Sequence, residues 1–236
     1  MENAPLTNVL LLSNAVGRAM QRPVELPGLV VHYGPSGYGK SCAAAVVANL
    51  HRAYHVECRD AWTRKPFLEA VLREMSIRPA NTLSKMMDQA AEQLSLSSRP
   101  LIVDDVQYLL DKSAANVLTD LYNASLGTLI LIGEEGVAQS MRKLERLHNR
   151  VLEWVPAEPA TLDDVRTLAQ RSYPHLSIAD ELLADLLSTV RGCLRRIAVN
   201  LYRLNSAATA QGWTHVSAEQ WTGDWYTGEA PERRRT

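Results

Sequence analysis

LVVHYGPSGYGKSCAAAVVAN, residues Leu29 to Asn49, is the stretch on which the reading of the chain turns. Leu29 to Tyr33 is a short β-branched and aromatic run, the composition of a buried strand. Gly34-Pro35-Ser36-Gly37-Tyr38-Gly39-Lys40-Ser41 follows, and then an alanine-rich segment suited to a helix. The octet fits GxxxxGK[ST] in full. Glycines at these spacings let successive backbone N–H groups converge on phosphate oxygens, and the helix behind them adds its positive N-terminal end. In this pattern Lys40 reaches the β- and γ-phosphates and Ser41 supplies a hydroxyl to Mg²⁺. ATP with Mg²⁺ is therefore the expected cofactor pair, held by Gly34, Pro35, Ser36, Gly37, Tyr38, Gly39, Lys40 and Ser41.

Outward from this stretch the pattern alternates. Tyr54 to Cys58, Pro100 to Asp105, Thr128 to Ile132 and Val151 to Val155 read as further strands. Helices are expected from Pro66 to about Met75, from Thr82 to Leu94, from Ala114 to Asn123 and from Val137 to Leu147. An additional helix, Leu6 to Gln21, precedes the first strand and is stopped by Pro23 and Pro27. Strands alternating with helices predict an α/β fold, a five-stranded parallel sheet flanked by helices with right-handed crossovers. From Thr161 onward helices alone are expected. Thr161-Leu162-Asp163-Asp164 resembles a capping box with aspartate in place of glutamate and opens a helix to about Arg171. Ala179 to Val190 and Leu194 to Ala208 give two more, separated at Gly192.

This divides the chain into an N-terminal helix and linker (1–24), a nucleotide-binding core (25–158), a small helical lid (159–222) and a polar, basic tail (223–236), read as loose and ending in Arg233-Arg234-Arg235.

The bulk composition excludes several classes. With 236 residues, 46% apolar and 22% charged, the chain has the make-up of a soluble globular protein. Cys42, Cys58 and Cys193 lack metal-ligand or disulfide spacing, which suits a reducing cytoplasm. No apolar run approaches the roughly 20 residues that span a bilayer, and no secretory leader is recognisable. A net charge of −1 excludes a polycation that coats nucleic acid indiscriminately, so any nucleic-acid surface must be local.

Pro100-Leu101-Ile102-Val103-Asp104-Asp105 is an apolar run, bounded by proline and ending in two acids. Ligands of open parallel sheets bind at the C-terminal strand tips. Asp104 is placed to hold Mg²⁺, through water, and Asp105 to orient or deprotonate the attacking water. A strand-end aspartate that only caps the next turn is the alternative for both.

The phosphate loop, the strand ending in Asp104-Asp105, the strand ending in Gly133-Glu134, and the helical segment with Gly192-Cys193-Leu194-Arg195 together resemble AAA+ ATPases over about residues 25 to 210. The compact lid, the short N-terminal helix and the LERLHNRV segment look most like the DNA-transposition group, the B proteins of Mu-like phages and their relatives TnsC, TniB and IstB. That resemblance implies catalytic roles. Glu134 falls at the sensor-1 position, where the family usually has asparagine, threonine or serine. Arg195 matches the sensor-2 arginine, which reaches from the lid to the phosphates. Arg150 matches the arginine finger, which acts on ATP bound by the neighbouring subunit. Arg142, Lys143 and Arg146 beside Arg150, and Arg191, Arg196 and Arg203 beside Arg195, also fit solvated basic faces.

The resemblance further implies assembly on double-stranded DNA as an ATP-dependent helical homo-oligomer that is recognised by a transposase, in a bacterial host cytoplasm if phage-encoded. Arg59, Arg64, Lys65 and Lys85 are the DNA-binding candidates, with Trp62 interleaved. Their contacts would be to phosphates, sequence-independent and salt-sensitive. Unlike the phage Mu type, only about 25 residues precede the core, so DNA contact is expected from the core itself. With Asp105 and Glu134 off-pattern, slow intrinsic hydrolysis is expected. A helicase loader or replication initiator, a small-molecule kinase active as a monomer, and a nucleotide-bound scaffold are the competing readings.

Overall fold

The computed structural model describes residues 6–110 and 114–230. These form two compact units, one of residues 8–36 with 40–157, the other of residues 158–230 together with 37–39 and the residues up to Thr7.

The first unit is a three-layer α/β structure. In chain order it contains α1 (Thr7–Met20), β1 (Leu29–Tyr33), α2 (Lys40–His51), β2 (Tyr54–Glu57), α3 (Arg64–Glu74), α4 (Leu83–Ser97), β3 (Leu101–Asp104), α5 (Gln107–Leu110), α6 (Asn116–Ser125), β4 (Leu129–Gly133), α7 (Val137–Arg142), α8 (Glu145–His148) and β5 (Val151–Pro156). All strand pairs are parallel, in the order β2-β3-β4-β1-β5. The central strands are buried along their whole length: Leu101, Ile102 and Val103 of β3, and Leu129, Ile130, Leu131 and Ile132 of β4, are all fully buried. That explains their continuous apolar runs, since a parallel strand covered on both faces has no solvent side to mark with polar residues. The core between the sheet and its helices is filled from α3 and α4 by Phe67, Leu68, Val71, Leu72, Met86 and Leu94. On the β5 edge α1 buries Leu12, Ala15, Val16 and Ala19, and its Arg18 bonds both carboxylate oxygens of Glu153 at 3.0 and 2.5 Å.

The predicted helix from Val137 to Leu147 is two pieces, broken at Lys143 and Leu144, where Leu144 has φ −112° and ψ 68°. A continuous helix would align Met141, Glu145 and His148 on one face. The break instead turns Leu147 into the core, 1% exposed, and leaves Glu145 outside. The short helix α5, directly after the acid pair, was not expected from the sequence.

The second unit holds α9 (Leu162–Ser172), β6 (Ser177–Ile178), α10 (Asp180–Thr189), α11 (Leu194–Gln211) and β7 (His215–Val216). Its own core includes Val165, Leu183, Leu186, Ile197, Leu201, Leu204 and Val216. The capping box is present: Asp164 N–H donates to Thr161 Oγ1 at 3.2 Å, and Thr161 N–H to Asp164 Oδ2 at 2.8 Å. The expectation of helices alone needs one correction, because β6 and β7 form a two-residue parallel ladder that ties the loop before α10 to the loop after α11. Pairs this short carry no readable alternation.

The reading of a loose end after Gly223 is also corrected. Asn200, fully buried on α11, donates to Tyr226 O at 2.9 Å and accepts from Tyr226 N–H at 2.8 Å, Arg203 donates to Asp224 O at 2.9 Å, and the Trp225 indole N–H donates to Asp185 at 2.7 Å. A backbone segment paired in this way is a strap on the helices. Arg233, Arg234 and Arg235 lie outside the described residues. Among the described residues, no helix is long and apolar enough to cross a membrane.

Candidate active site

The phosphate loop leaves β1 at the C-terminal edge of the sheet and enters α2 at Lys40. Gly37 and Gly39 have φ +84° and +86°, a region that L-residues rarely adopt. A Cβ on Gly37 would stand 2.7 Å from Cys193 Sγ, and one on Gly39 2.6 Å from Leu194 Cδ2. Both positions therefore require glycine for conformation and for space. Lys40 Nζ donates to Gly34 O at 2.7 Å and Pro35 O at 2.8 Å, so the ammonium is poised over the loop it belongs to. Phosphate oxygens arriving at the loop would exchange with these carbonyls as its acceptors. Ser41, at the start of α2, is exposed.

Asp104 ends β3, 3% exposed, in register with Glu57 of β2. Its Oδ1 accepts from the Asp105 N–H at 2.9 Å, and Oδ2 lies 3.9 Å from His55 Nε2. A buried carboxylate at a strand tip, with Ser41 hydroxyl at the start of α2, is a donor set of hard oxygens that suits Mg²⁺. Asp105 has φ +52°, a left-handed conformation that aspartate tolerates better than most residues. The turn swings its carboxylate out of the strand direction. There Asp105 Oδ1 accepts from Gln107 Nε2 at 3.0 Å, and Gln107 Oε1 in turn accepts from the Glu134 N–H at 3.4 Å. Gln107 thus connects the acid after β3 to the first residue after β4. A Cβ on Gly133 would stand 2.5 Å from Gln107 Oε1, so glycine at the end of β4 makes room for the bridge. Sequence reasoning missed Gln107; its signal was a carboxamide two residues past the acid pair. Burial pushes the nearby Cys58 thiol up to about 12, with Asp104 and Asp105 adding to the shift, so it is inert as a nucleophile.

Glu134 is exposed, one residue past β4. Arg150 stands at the opposite edge of the sheet, where its carbonyl accepts from the Leu29 N–H at 3.1 Å. Its guanidinium donates to Asn123 Oδ1 at 2.6 Å and to the Arg146 carbonyl. Five residues of β1 separate this edge from the phosphate loop, about 16 Å at a rise of about 3.3 Å per residue. Arg195, in the first turn of α11, is exposed, and its N–H donates to Gly37 O at 3.0 Å.

Arg59, Arg64 and Lys65 are exposed and fall within one short stretch. The Arg59 guanidinium lies 5.8 Å from the Trp62 ring centroid, and Lys65 Nζ is 4.0 Å from Glu69. The first turn of α3 carries Arg64 and Lys65, has no acid, and its Thr63 cap makes no side-chain hydrogen bond. Exposed Lys85 belongs to a different element, the first turn of α4, where Thr82 Oγ1 accepts its N–H at 3.4 Å.

A phosphate loop on the first strand of a parallel sheet, with an acid pair at the tip of a strand two places away in the sheet, defines a P-loop ATPase. The family model described as AAA domain matches residues 24–141, and the chain belongs to that family. A comparison with curated proteins finds no match. Similar solved structures include Orc1 of Aeropyrum pernix in complex with DNA (16% identity, TM-score 0.64, covering 90% of this chain and 62% of that one). Cdc6p of Pyrobaculum aerophilum gives 16%, 0.65, 92% and 65%, and the RuvB Holliday junction branch migration motor of Thermotoga maritima 16%, 0.62, 90% and 66%. The chain thus spans a little under two thirds of the length of these structures, and at such identities the likeness is one of fold. The chain is an AAA-type ATPase.

Proposed function

We propose that ATP, held at a seam between two copies of this chain, drives their helical assembly on double-stranded DNA, and that a transposase recognises the assembly as its target and stimulates hydrolysis. The reading is carried by Arg150. It lies at the end of the sheet opposite its own phosphate loop, so the nucleotide on which it would act is a neighbour's. In its present place it is bonded to Asn123 and Arg146, contacts that a neighbour's γ-phosphate would have to displace. ATP can promote assembly only by its different affinity for separate and joined copies, and a seam position supplies that difference. Mg²⁺ would be held by Ser41 and Asp104 and would offset charge on the phosphates; Asp105 would orient the water, Glu134 would stand at the sensor-1 position and Arg195 would follow the nucleotide state from the helical unit.

DNA is assigned to Arg59, Arg64 and Lys65. The basic first turn of α3, which carries no acid, favours phosphate oxygens. Lys85 is a separate contact on α4. The transposase itself is supported by the LERLHNRV segment and the compact lid, which resemble those of the transposition group. An initiator role is the second reading: the A. pernix Orc1 structure, similar in fold, was solved with DNA.

Electron microscopy and sedimentation with duplex DNA, in ATP, a slowly hydrolysed analogue and ADP, test the assembly. Ordered helices with triphosphate alone are expected; a chain that remains single in saturating ATP with DNA rejects it. Replacing Lys65 by alanine is expected to lower the salt slope of DNA binding by about one unit. Stimulation of hydrolysis by a transposase rather than by a replicative helicase separates the two readings.

A further inference from the structure

The helical unit carries a groove that nucleotide chemistry does not use. It is about 520 Å³, bounded by Leu182, Asp185 and Thr189 of α10 on one side and by Trp221, Asp224 and Trp225 of the strap on the other. That is large enough for several side chains and falls in the range of ligand sites.

Its walls are fixed. The Trp221 and Trp225 rings stack with centroids 5.2 Å apart and an interplanar angle of 24°. The Trp225 indole N–H donates to Asp185 Oδ2 at 2.7 Å, which sets the ring against α10. Behind it, Asn200 and Arg203 hold the backbone of Tyr226 and Asp224. Walls held in advance lower the ordering cost of binding. Trp221 Nε1 is buried without a hydrogen-bond partner among the described residues.

The charge in the groove is of one sign. Asp185 and Asp224 bring carboxylates, and neither forms an ion pair among the described residues. Two carboxylates repel phosphate, so nucleic acid is disfavoured here. Indole faces beside carboxylates suit a cation that is also planar: guanidinium stacks on aromatic rings and meets a carboxylate with two parallel N–H groups, whereas ammonium is compact and more strongly hydrated. We propose that this groove is a docking site for an arginine-bearing peptide segment of a partner protein. The site is independent of the seam and of DNA, and stands whether or not the assembly reading does.

The test is calorimetric titration of the full chain with Ac-GRGRG-NH2, its lysine counterpart Ac-GKGKG-NH2 and an acidic control, Ac-GEGEG-NH2. Saturable one-to-one binding of the arginine peptide is expected, at least fivefold tighter than the lysine peptide, with none for the acidic one. Asp185→Asn combined with Asp224→Asn is expected to weaken the arginine peptide at least tenfold while ATP hydrolysis and thermal midpoint stay at wild-type values. Trp225→Leu is expected to weaken it comparably. Asp163→Asn, an exposed acid on α9 outside the groove, is expected to leave the affinity within twofold. Equal affinity in wild type and the double variant, equal loss in Asp163→Asn, or lysine binding as tight as arginine would each overturn the proposal. Binding that emerges only when Arg233, Arg234 and Arg235 are replaced by serine would assign the groove to the chain's own arginines and overturn the partner.

Discussion

Replacing Gln107 by leucine removes one carboxamide from the site at nearly constant volume. In the structure that carboxamide donates to Asp105 Oδ1 at 3.0 Å and accepts from the Glu134 N–H at 3.4 Å. The first bond goes to a carboxylate and is worth about 1.5–3 kcal/mol, whereas the second is long and contributes less. Asp105 sits in a left-handed turn with φ +52°, so nothing in its own backbone aims the carboxylate. If the carboxylate is aligned for water only while Gln107 holds it, the barrier rises by the worth of that bond, about a 10- to 150-fold fall in kcat. The assay is phosphate release at saturating ATP, with ATP affinity measured separately by a fluorescent analogue. Affinity should change less than threefold, because among the described residues Gln107 bonds Asp105 and Glu134 and no residue of the phosphate loop, and Asp105→Asn in parallel should lose at least as much. A kcat within twofold of wild type for Gln107→Leu, beside a large loss for Asp105→Asn, would refute the aiming role. Unchanged turnover in both would remove Asp105 from the mechanism.

Lys40→Ala and Arg150→Ala are each expected to abolish hydrolysis, Arg150→Ala with ATP binding intact, and an equimolar mixture to recover about a quarter of wild-type turnover, because about one seam in four then pairs an intact loop with an intact finger; no recovery on mixing places the arginine elsewhere. Asn200→Ala deletes a fully buried amide bonded to Tyr226 and to Arg196 O at 3.0 Å, and should cost the helical unit about 2–4 kcal/mol in urea unfolding followed by tryptophan fluorescence; a loss under 1 kcal/mol would mean that the strap does not bear on stability. Burial holds the His32 imidazole below its usual pKa, partly opposed by the Nδ1–H bond to Val155 O at 2.9 Å and reinforced by Lys40. The folded state disfavours the charged form, so from about pH 6.5 downward the unfolded chain binds more protons and stability falls as pH falls, by at most about 1.4 kcal/mol per pH unit. His32→Gln should therefore lose less stability than wild type between pH 7 and 5, and parallel profiles would exclude the histidine as the cause.

Sequence alone determined the elements whose residues face one environment along their whole length. The runs at Leu29 to Tyr33, Leu101 to Val103 and Leu129 to Ile132 read correctly as strands, since a parallel strand buried on both faces is apolar along most of its length, with buried His32 the polar exception. The phosphate loop was equally legible, because its chemistry requires fixed residue types at fixed spacing within one short segment. The same holds for the Thr161–Asp164 capping box, which is confined to one turn.

What only the tertiary structure decided involves residues far apart in the chain. The Gln107 bridge depends on β3 lying beside β4 and on the absent side chain of Gly133, a contact with no periodic signature. The break at Leu144 seats Leu147 in the core with Leu144 packed against it, an arrangement that helical periodicity does not mark. The strap after Gly223 looks polar and unstructured in sequence, yet Asn200 and Arg203 satisfy its backbone and two tryptophans cover α10. Local patterns fix what a segment is, whereas backbone hydrogen bonds and side-chain contacts across tens of residues become visible only when the chain has folded and each buried polar group has found its partner.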